Sequence, residues 1–220
     1  MISGQPVSAS SRRRIMLTLH FIAGACSLVP HVALHWSGLP FEARPESRES
    51  TRSPEYRAMN PQGLVPVLED DGWVLTQNVA ILDYLHDLAP QAGIYGRGAD
   101  VRQVAQARQW LLFANTDLQQ VFAAIFATSR IVENEEAQAL VEIHAREKAP
   151  TLFALVDQAL AGREYLSGLL SVADVHVYTI MRWARLLEID LSGYAHLAAH
   201  YQRIERDPGV LAALKAEGLL

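Results

Sequence analysis

Gly24-Ala25-Cys26-Ser27-Leu28 holds the only cysteine of a 220-residue chain, and it stands where two unlike patterns meet. Before it, residues 15–21 form a short apolar run that reads as a buried strand. After it, residues 28–36 carry apolar side chains at helical spacing, and Gly38 is placed to end the helix. A strand-to-helix turn sets Cys26 beside the free N–H groups and the positive dipole end of that helix. Those groups favour the thiolate, the reactive form, and predict a lowered thiol pKa. A free cysteine also serves as a small apolar filler, and the turn alone leaves both readings open.

Composition narrows the field. Half of the residues are hydrophobic and 20% are charged, as in ordinary globular proteins, and 220 residues suffice for one or two domains. The net charge is −5, with no basic block beyond Arg12-Arg13-Arg14, which argues against a nucleic-acid partner. One cysteine permits no internal disulfide, no C-x-x-C pair and no thiolate-built zinc site. That suits a reducing cytoplasm, the expected location. No apolar run reaches the ~20 residues of a membrane-spanning helix, so no membrane association is expected. Residues 1–14 are rich in Ser and Arg and lack an apolar centre, unlike a secretory signal. They read as a disordered tail, or as a stretch upstream of a natural start at Met16.

Along the chain the first half mixes strand and helix. Residues 41–45 suit a second strand. Residues 65–69 and 73–76 flank Asp70-Asp71-Gly72, a hairpin signal because Asp-Gly tolerates left-handed turn positions. Residues 78–88 place Val79, Ile81, Leu82, Leu85 and Leu88 on one stripe, with Asn78 as the expected cap and Pro90 beyond the end. The order is β-α-β, then β-β-α, over residues 15–90. Residues 91–99 carry three glycines without periodicity and read as a linker; their spacing does not fit a nucleotide loop. Residues 100–220 are helical almost throughout, with expected helices at 100–128, 133–161, 171–187, 191–206 and 208–217. Ser171-Val172-Ala173-Asp174 fits a capping box, and Asp207-Pro208 fits an N-cap followed by proline.

Two further elements carry chemistry. In Asn60-Pro61-Gln62-Gly63-Leu64-Val65-Pro66, Pro66 falls where the hairpin strand should begin, a place that suits a residue without an N–H. A cis Val65–Pro66 bond frees the Val65 N–H and C=O to pair with an extended peptide, whereas trans prolines make a plain turn. Thr76-Gln77-Asn78-Val79-Ala80-Ile81 opens a helix whose N–H groups attract a carboxylate; simple capping by Asn78 is the plainer account. A thiolate-stabilising turn, a strand edge and a carboxylate-binding helix start together suit a small anionic peptide with a thiol, the features of glutathione. His31 and His35 lie four apart on one helix. No carboxylate follows His31 and no third ligand is evident, so they read as packing or surface histidines and no metal is expected.

On these motifs, in this order and spacing, the chain resembles the cytosolic glutathione transferases, most closely the bacterial beta class, from about Ile15 to its end. Residues 110–122, from Trp110 to Phe122, and Arg182-Trp183-Ala184 resemble that class too. The resemblance implies a thioredoxin-like N-terminal domain, an all-helical C-terminal domain and a homodimer. It implies that Val65 pairs its backbone with glutathione across a cis Pro66, and that Gln77 and Asn78 hold the γ-glutamyl carboxylate. It sets Cys26 and Ser27 beside the glutathione sulfur, Cys26 being able to form a mixed disulfide, and it makes Ser171 and Asp174 a structural box. Where the class usually has an Asn and, two turns on, a His facing the active site, this chain has Leu112 and Gln119. Gln119 hydrogen-bonds but takes no proton near neutral pH. Thr116 keeps a hydroxyl on that face as a glutathione contact, and Asn78 stands where relatives often have Gly or Ser. Phe113 and Trp183 fit either the core or a second-substrate pocket. The expected activity is addition of the glutathione thiol to small apolar electrophiles, with thiol–disulfide exchange if Cys26 itself reacts. The missing histidine leaves a non-catalytic ligand- or protein-binding module as the alternative.

Overall fold

The structure, a computed structural model, describes residues 16–220; the expectation for residues 1–14 and the first residue of the 15–21 strand lie outside it. β1 (Leu17–Phe21) is buried at every residue. It is parallel to β2 (Phe41–Pro45) and antiparallel to β3 (Val67–Asp70), and β4 (Trp73–Thr76) completes a sheet of order β2-β1-β3-β4. A strand paired on both edges reads as a continuous run and not as an alternation, hence Leu-Thr-Leu-His-Phe. His20 stays buried because Glu46 meets its Nδ1 at 2.8 Å and Glu69 its Nε2 at 2.7 Å. The expected hairpin forms, with Asp71 and Gly72 at φ 51° and 81°.

The parallel β1–β2 pair needs a crossover, which α1 (Leu28–Ser37) supplies, ending at Gly38 in the left-handed conformation. Between β2 and β3 lies α2 (Pro54–Met59), which the sequence pattern does not predict. Its start is conventional, with the Tyr56 N–H donating to the Ser53 hydroxyl at 3.2 Å and proline at the first position. Only Tyr56 of its residues is buried, so no apolar stripe marks it. α3 (Asn78–Leu88) lays Ile81, Leu82 and Leu85 into the core. Its N-cap is Gln77, at φ 74° and without a side-chain cap bond, so the capping expected of Asn78 does not occur. β3, expected from Val65, starts at Val67, after Pro66, which has no N–H for the ladder.

The expected linker is fastened down. Ile94 and Tyr95 are fully buried, the Val172 N–H donates to the Ile94 carbonyl at 2.9 Å, and the Tyr95 hydroxyl donates to Asp83 at 2.7 Å. Beyond it, α4 (Val101–Phe113) starts at a reciprocal Asp100/Gln103 capping box and runs through a π-helical turn (Ala114–Leu118) into α5 (Gln119–Phe126). The single helix expected at 100–128 is thus broken by a bulge that turns the face after it. α6 (Glu135–Ala159) and α7 (Val172–Leu186) follow, the latter buried without a break from Val172 to Met181. α8 (Ala195–Ile204) starts later than expected because the Ser192 N–H bonds Asp190 in a turn. α9 (Pro208–Ala216) ends the fold. One apolar core runs through both halves, and α1 packs on α7 and α9. This is the expected thioredoxin-like domain joined to an all-helical one, with the Cys26 turn at their junction.

Candidate active site

Gly24, at φ 72°, lets the chain turn from β1 into α1. Ser27 is fully buried; its hydroxyl accepts from the Ile22 N–H and donates to the Ile22 carbonyl, both at 3.2 Å. Its side chain therefore shapes the turn and is not free for the catalytic place expected of it. Its N–H and that of Cys26 favour the thiolate form of the Cys26 sulfur. Those groups and the Gln119 side chain pull the thiol pKa down, but burial outweighs them and pushes it up to about 11. The lowered pKa expected from the helix start is thus reversed. The thiol is half-buried and donates to the Val65 carbonyl at 3.6 Å.

Val65 precedes a cis bond to Pro66 and lies outside the ladder, which begins at Val67. The segment is held from behind. The Tyr56 hydroxyl and the Asn60 amide both donate to the Leu64 carbonyl, at 2.9 and 2.7 Å. Gly63, at φ 62°, has no room for a side chain, since a Cβ would stand 2.7 Å from the Thr51 carbonyl oxygen. The start of α3 meets the same turn. The buried Asn78 donates to the Cys26 carbonyl at 3.4 Å, while the exposed Gln77 donates to Gln62 at 3.3 Å. Of the two expected carboxylate ligands, Gln77 keeps its side chain outside and Asn78 turns its own inward.

The helical half closes the other side. Gln119, at the first turn of α5, faces Cys26, where its side chain favours the thiolate, and receives Nε2 of the buried His176 at 2.8 Å on its Oε1. His176 went unnoticed in the sequence because it looks like one more residue of a core helix. Thr116 sits in the π turn with its hydroxyl 2.9 Å from the Leu112 carbonyl and 2.8 Å from the Asp117 carboxylate. Leu112 lines an open depression of about 720 Å³ with Val101, Val104 and Arg108, on α4. Phe113 packs edge-on against Trp110 at 5.5 Å. Trp183 packs on Phe122 and Phe126, each at 6.0 Å, and its indole N–H donates to the Gly24 carbonyl at 2.7 Å.

A second strut comes from the end of the chain. Glu217 accepts the Gly24 N–H at 2.8 Å and meets Nδ1 of the fully buried His31 at 2.9 Å. His31 stacks on His35 at 5.3 Å, and burial and the neighbouring His31 lower the His35 pKa. Among the described residues no three His, Cys, Asp or Glu side chains are grouped to hold a metal ion. The Ser171/Asp174 box forms and extends further, since Asp174 accepts from the Ser171 N–H and hydroxyl, the Leu166 N–H and His200, each at 3.0 Å.

Comparison with known proteins agrees with this geometry. The family described as glutathione S-transferase, N-terminal domain, matches residues 20–93, and its C-terminal counterpart matches residues 114–208. A glutathione S-transferase of Xanthomonas campestris pv. campestris is 40% identical over 204 residues, covering 92% of this chain and all of that protein. The solved glutathione S-transferase of Xylella fastidiosa is 38% identical, with a TM-score of 0.86 over 93% of this chain and all of that one. The beta-class enzyme of Sphingomonas chungbukensis is 31% identical, with a TM-score of 0.80 over 92% of this chain and all of that one. The chain belongs to the glutathione S-transferase family.

Proposed function

We propose that glutathione lies extended along Val65, with its sulfur beside the Cys26–Ser27 turn and its γ-glutamyl carboxylate at the start of α3. The observation that carries this is the meeting of three elements at Cys26: its sulfur on the Val65 carbonyl, its carbonyl on Asn78, and Gln119 against its side chain. Val65 offers a main-chain pair outside the ladder, to which a peptide adds as a strand would. The α3 N-terminus offers N–H groups and a dipole to the carboxylate, with the Gln77 amide at the rim. Binding replaces the contact between the Cys26 thiol and the Val65 carbonyl.

The glutathione thiolate then attacks a small apolar electrophile. A sulfur–carbon bond forms, the leaving group departs with its electron pair, and the thiol proton goes to water. The N–H groups of the Cys26–Ser27 turn would favour the thiolate of a glutathione sulfur placed there, so the reaction needs placement more than a dedicated base. Phe113 and Trp183, both partly exposed, suit an apolar wall for the second substrate. A Cys26 thiol with a pKa near 11 is mostly protonated at neutral pH, which ranks conjugation above exchange. Where exchange occurs, the Cys26 thiolate attacks a glutathione mixed disulfide, releases the other thiolate, and is freed by a second glutathione. The apolar depression on α4, with Val101 and Leu112 exposed, supports a homodimer across that face. No helix among the described residues is long and apolar enough to cross a membrane. A cytoplasmic place in detoxification fits these features.

The test is retention on immobilised glutathione together with turnover of 1-chloro-2,4-dinitrobenzene. Both are expected; failure of both overturns the reading.

A further inference from the structure

Behind Cys26 lies a hydrogen bond that the proposed chemistry leaves unexplained. His176 is fully buried in α7, and its Nε2 stands 2.8 Å from Oε1 of Gln119. Burial without a charged partner lowers its pKa to about 3, so the ring is neutral and carries a single N–H. That proton has two places. On Nε2 it donates to the Gln119 oxygen and turns the Gln119 NH2 group toward the Cys26 sulfur. On Nδ1 it meets nothing, since Nδ1 is buried without a hydrogen-bond partner among the described residues. Gln119 would then have to turn its amide round and present oxygen to the sulfur. The thiol proton of Cys26 is already directed at the Val65 carbonyl, which leaves sulfur lone pairs for Gln119 and calls for a donor there.

We propose that His176 is a positioning residue: its Nε2–H grips the Gln119 carbonyl and thereby fixes the Gln119 amide as a permanent hydrogen-bond donor to the sulfur in this turn. The pair stabilises the thiolate by a fixed neutral donor, as a protonated imidazole would by charge. Neither member changes charge between about pH 5 and 9, so the donor is constant. Tyr56, the titratable group that faces Cys26 from α2, has its hydroxyl on the Leu64 carbonyl and a pKa raised by burial, and it stays neutral. The part this donor takes in turnover rests on the reading of Cys26 as the neighbour of the glutathione sulfur. The donor itself does not, and it is measured without glutathione.

Because Cys26 is the only cysteine, alkylation by iodoacetamide against pH reports on it alone. In His176→Phe the grip is lost, and the profile is expected to move up by about one unit. Near pH 8 that slows alkylation about threefold, because the tenfold loss of thiolate is partly offset by its greater nucleophilicity. Gln119→Met is expected to match it, and the double variant to add nothing further. Nitrogen NMR of the unmodified protein is expected to show Nε2 protonated and Nδ1 bare across that pH range, a readout that stands even if His176→Phe does not fold. A proton on Nδ1, or a His176→Phe profile that stays in place while Gln119→Met moves or both stay, overturns the proposal. A protein that passes these measurements yet neither binds nor uses glutathione overturns the functional reading instead.

Discussion

At Cys26 two effects oppose each other, and their sizes decide the outcome. A sulfur at a helix start gains from N–H groups, but here the loss of water wins and the thiol pKa stands near 11. Alkylation of the ligand-free protein by iodoacetamide is therefore expected to be slow at neutral pH and to rise toward a midpoint near 11; a midpoint below the ordinary cysteine value would contradict this. The raised pKa also has a sign for stability. Its contribution is present below the ordinary value of 9.0 and is lost as the pH climbs toward 11. Replacing Cys26 by Ala is expected to leave chloronitrobenzene conjugation largely intact and to abolish reduction of glutathione mixed disulfides, assayed separately. The sequence made Cys26, Val65 and Gln119 legible as neighbours of one site. It hid the sign of the pKa shift, because burial depends on the second half of the chain closing over the turn. It hid Ser27 for the same reason, since a serine beside a cysteine reads as exposed chemistry until its hydroxyl is seen bonded to Ile22.

Among the elements, those announced by local chemistry were legible and those fixed by distant contacts were not. The Asp71-Gly72 hairpin, the Gly38 helix end and the Ser171/Asp174 box each follow from a few adjacent residues. α2 escaped because six residues with one buried side chain give no period. The π turn escaped because an extra residue in a helix leaves no mark on composition. The two struts on Gly24 escaped because Trp183 and Glu217 lie 159 and 193 positions away. They hold both backbone groups of the residue that sets the Cys26 turn. Glu217→Ala leaves the Gly24 N–H and the buried His31 ring without their partner, at a cost of about 2–4 kcal/mol, readable as a lower urea midpoint. An unchanged midpoint would show that the end of the chain does not brace the turn. Trp183→Phe keeps the aromatic packing and removes one hydrogen bond; about 1 kcal/mol of stability and a raised KM for glutathione are expected.

For the whole molecule, the division into a mixed sheet and a helical half was visible in the change near residue 100 from mixed strand and helix signals to an almost unbroken helical pattern. The way the halves fuse was not, since residues 91–99 look like a loose connection and carry the buried Ile94 and Tyr95. Assembly belongs to this scale. Leu112 lies 47% exposed and Val101 87% exposed beside an apolar depression, a face that a second copy would cover. Sedimentation velocity is expected to give a dimer for the unmodified chain and a monomer for Leu112→Asp; a dimer in both would place the contact elsewhere. The account as a whole turns on where the tripeptide lies. A crystal structure of the protein with glutathione measures this most directly. The result expected is main-chain pairing of the cysteinyl unit with Val65, the sulfur at the Cys26–Ser27 turn and the γ-glutamyl carboxylate at the start of α3. Glutathione bound away from Val65, with the Cys26 thiol still on the Val65 carbonyl, would contradict it.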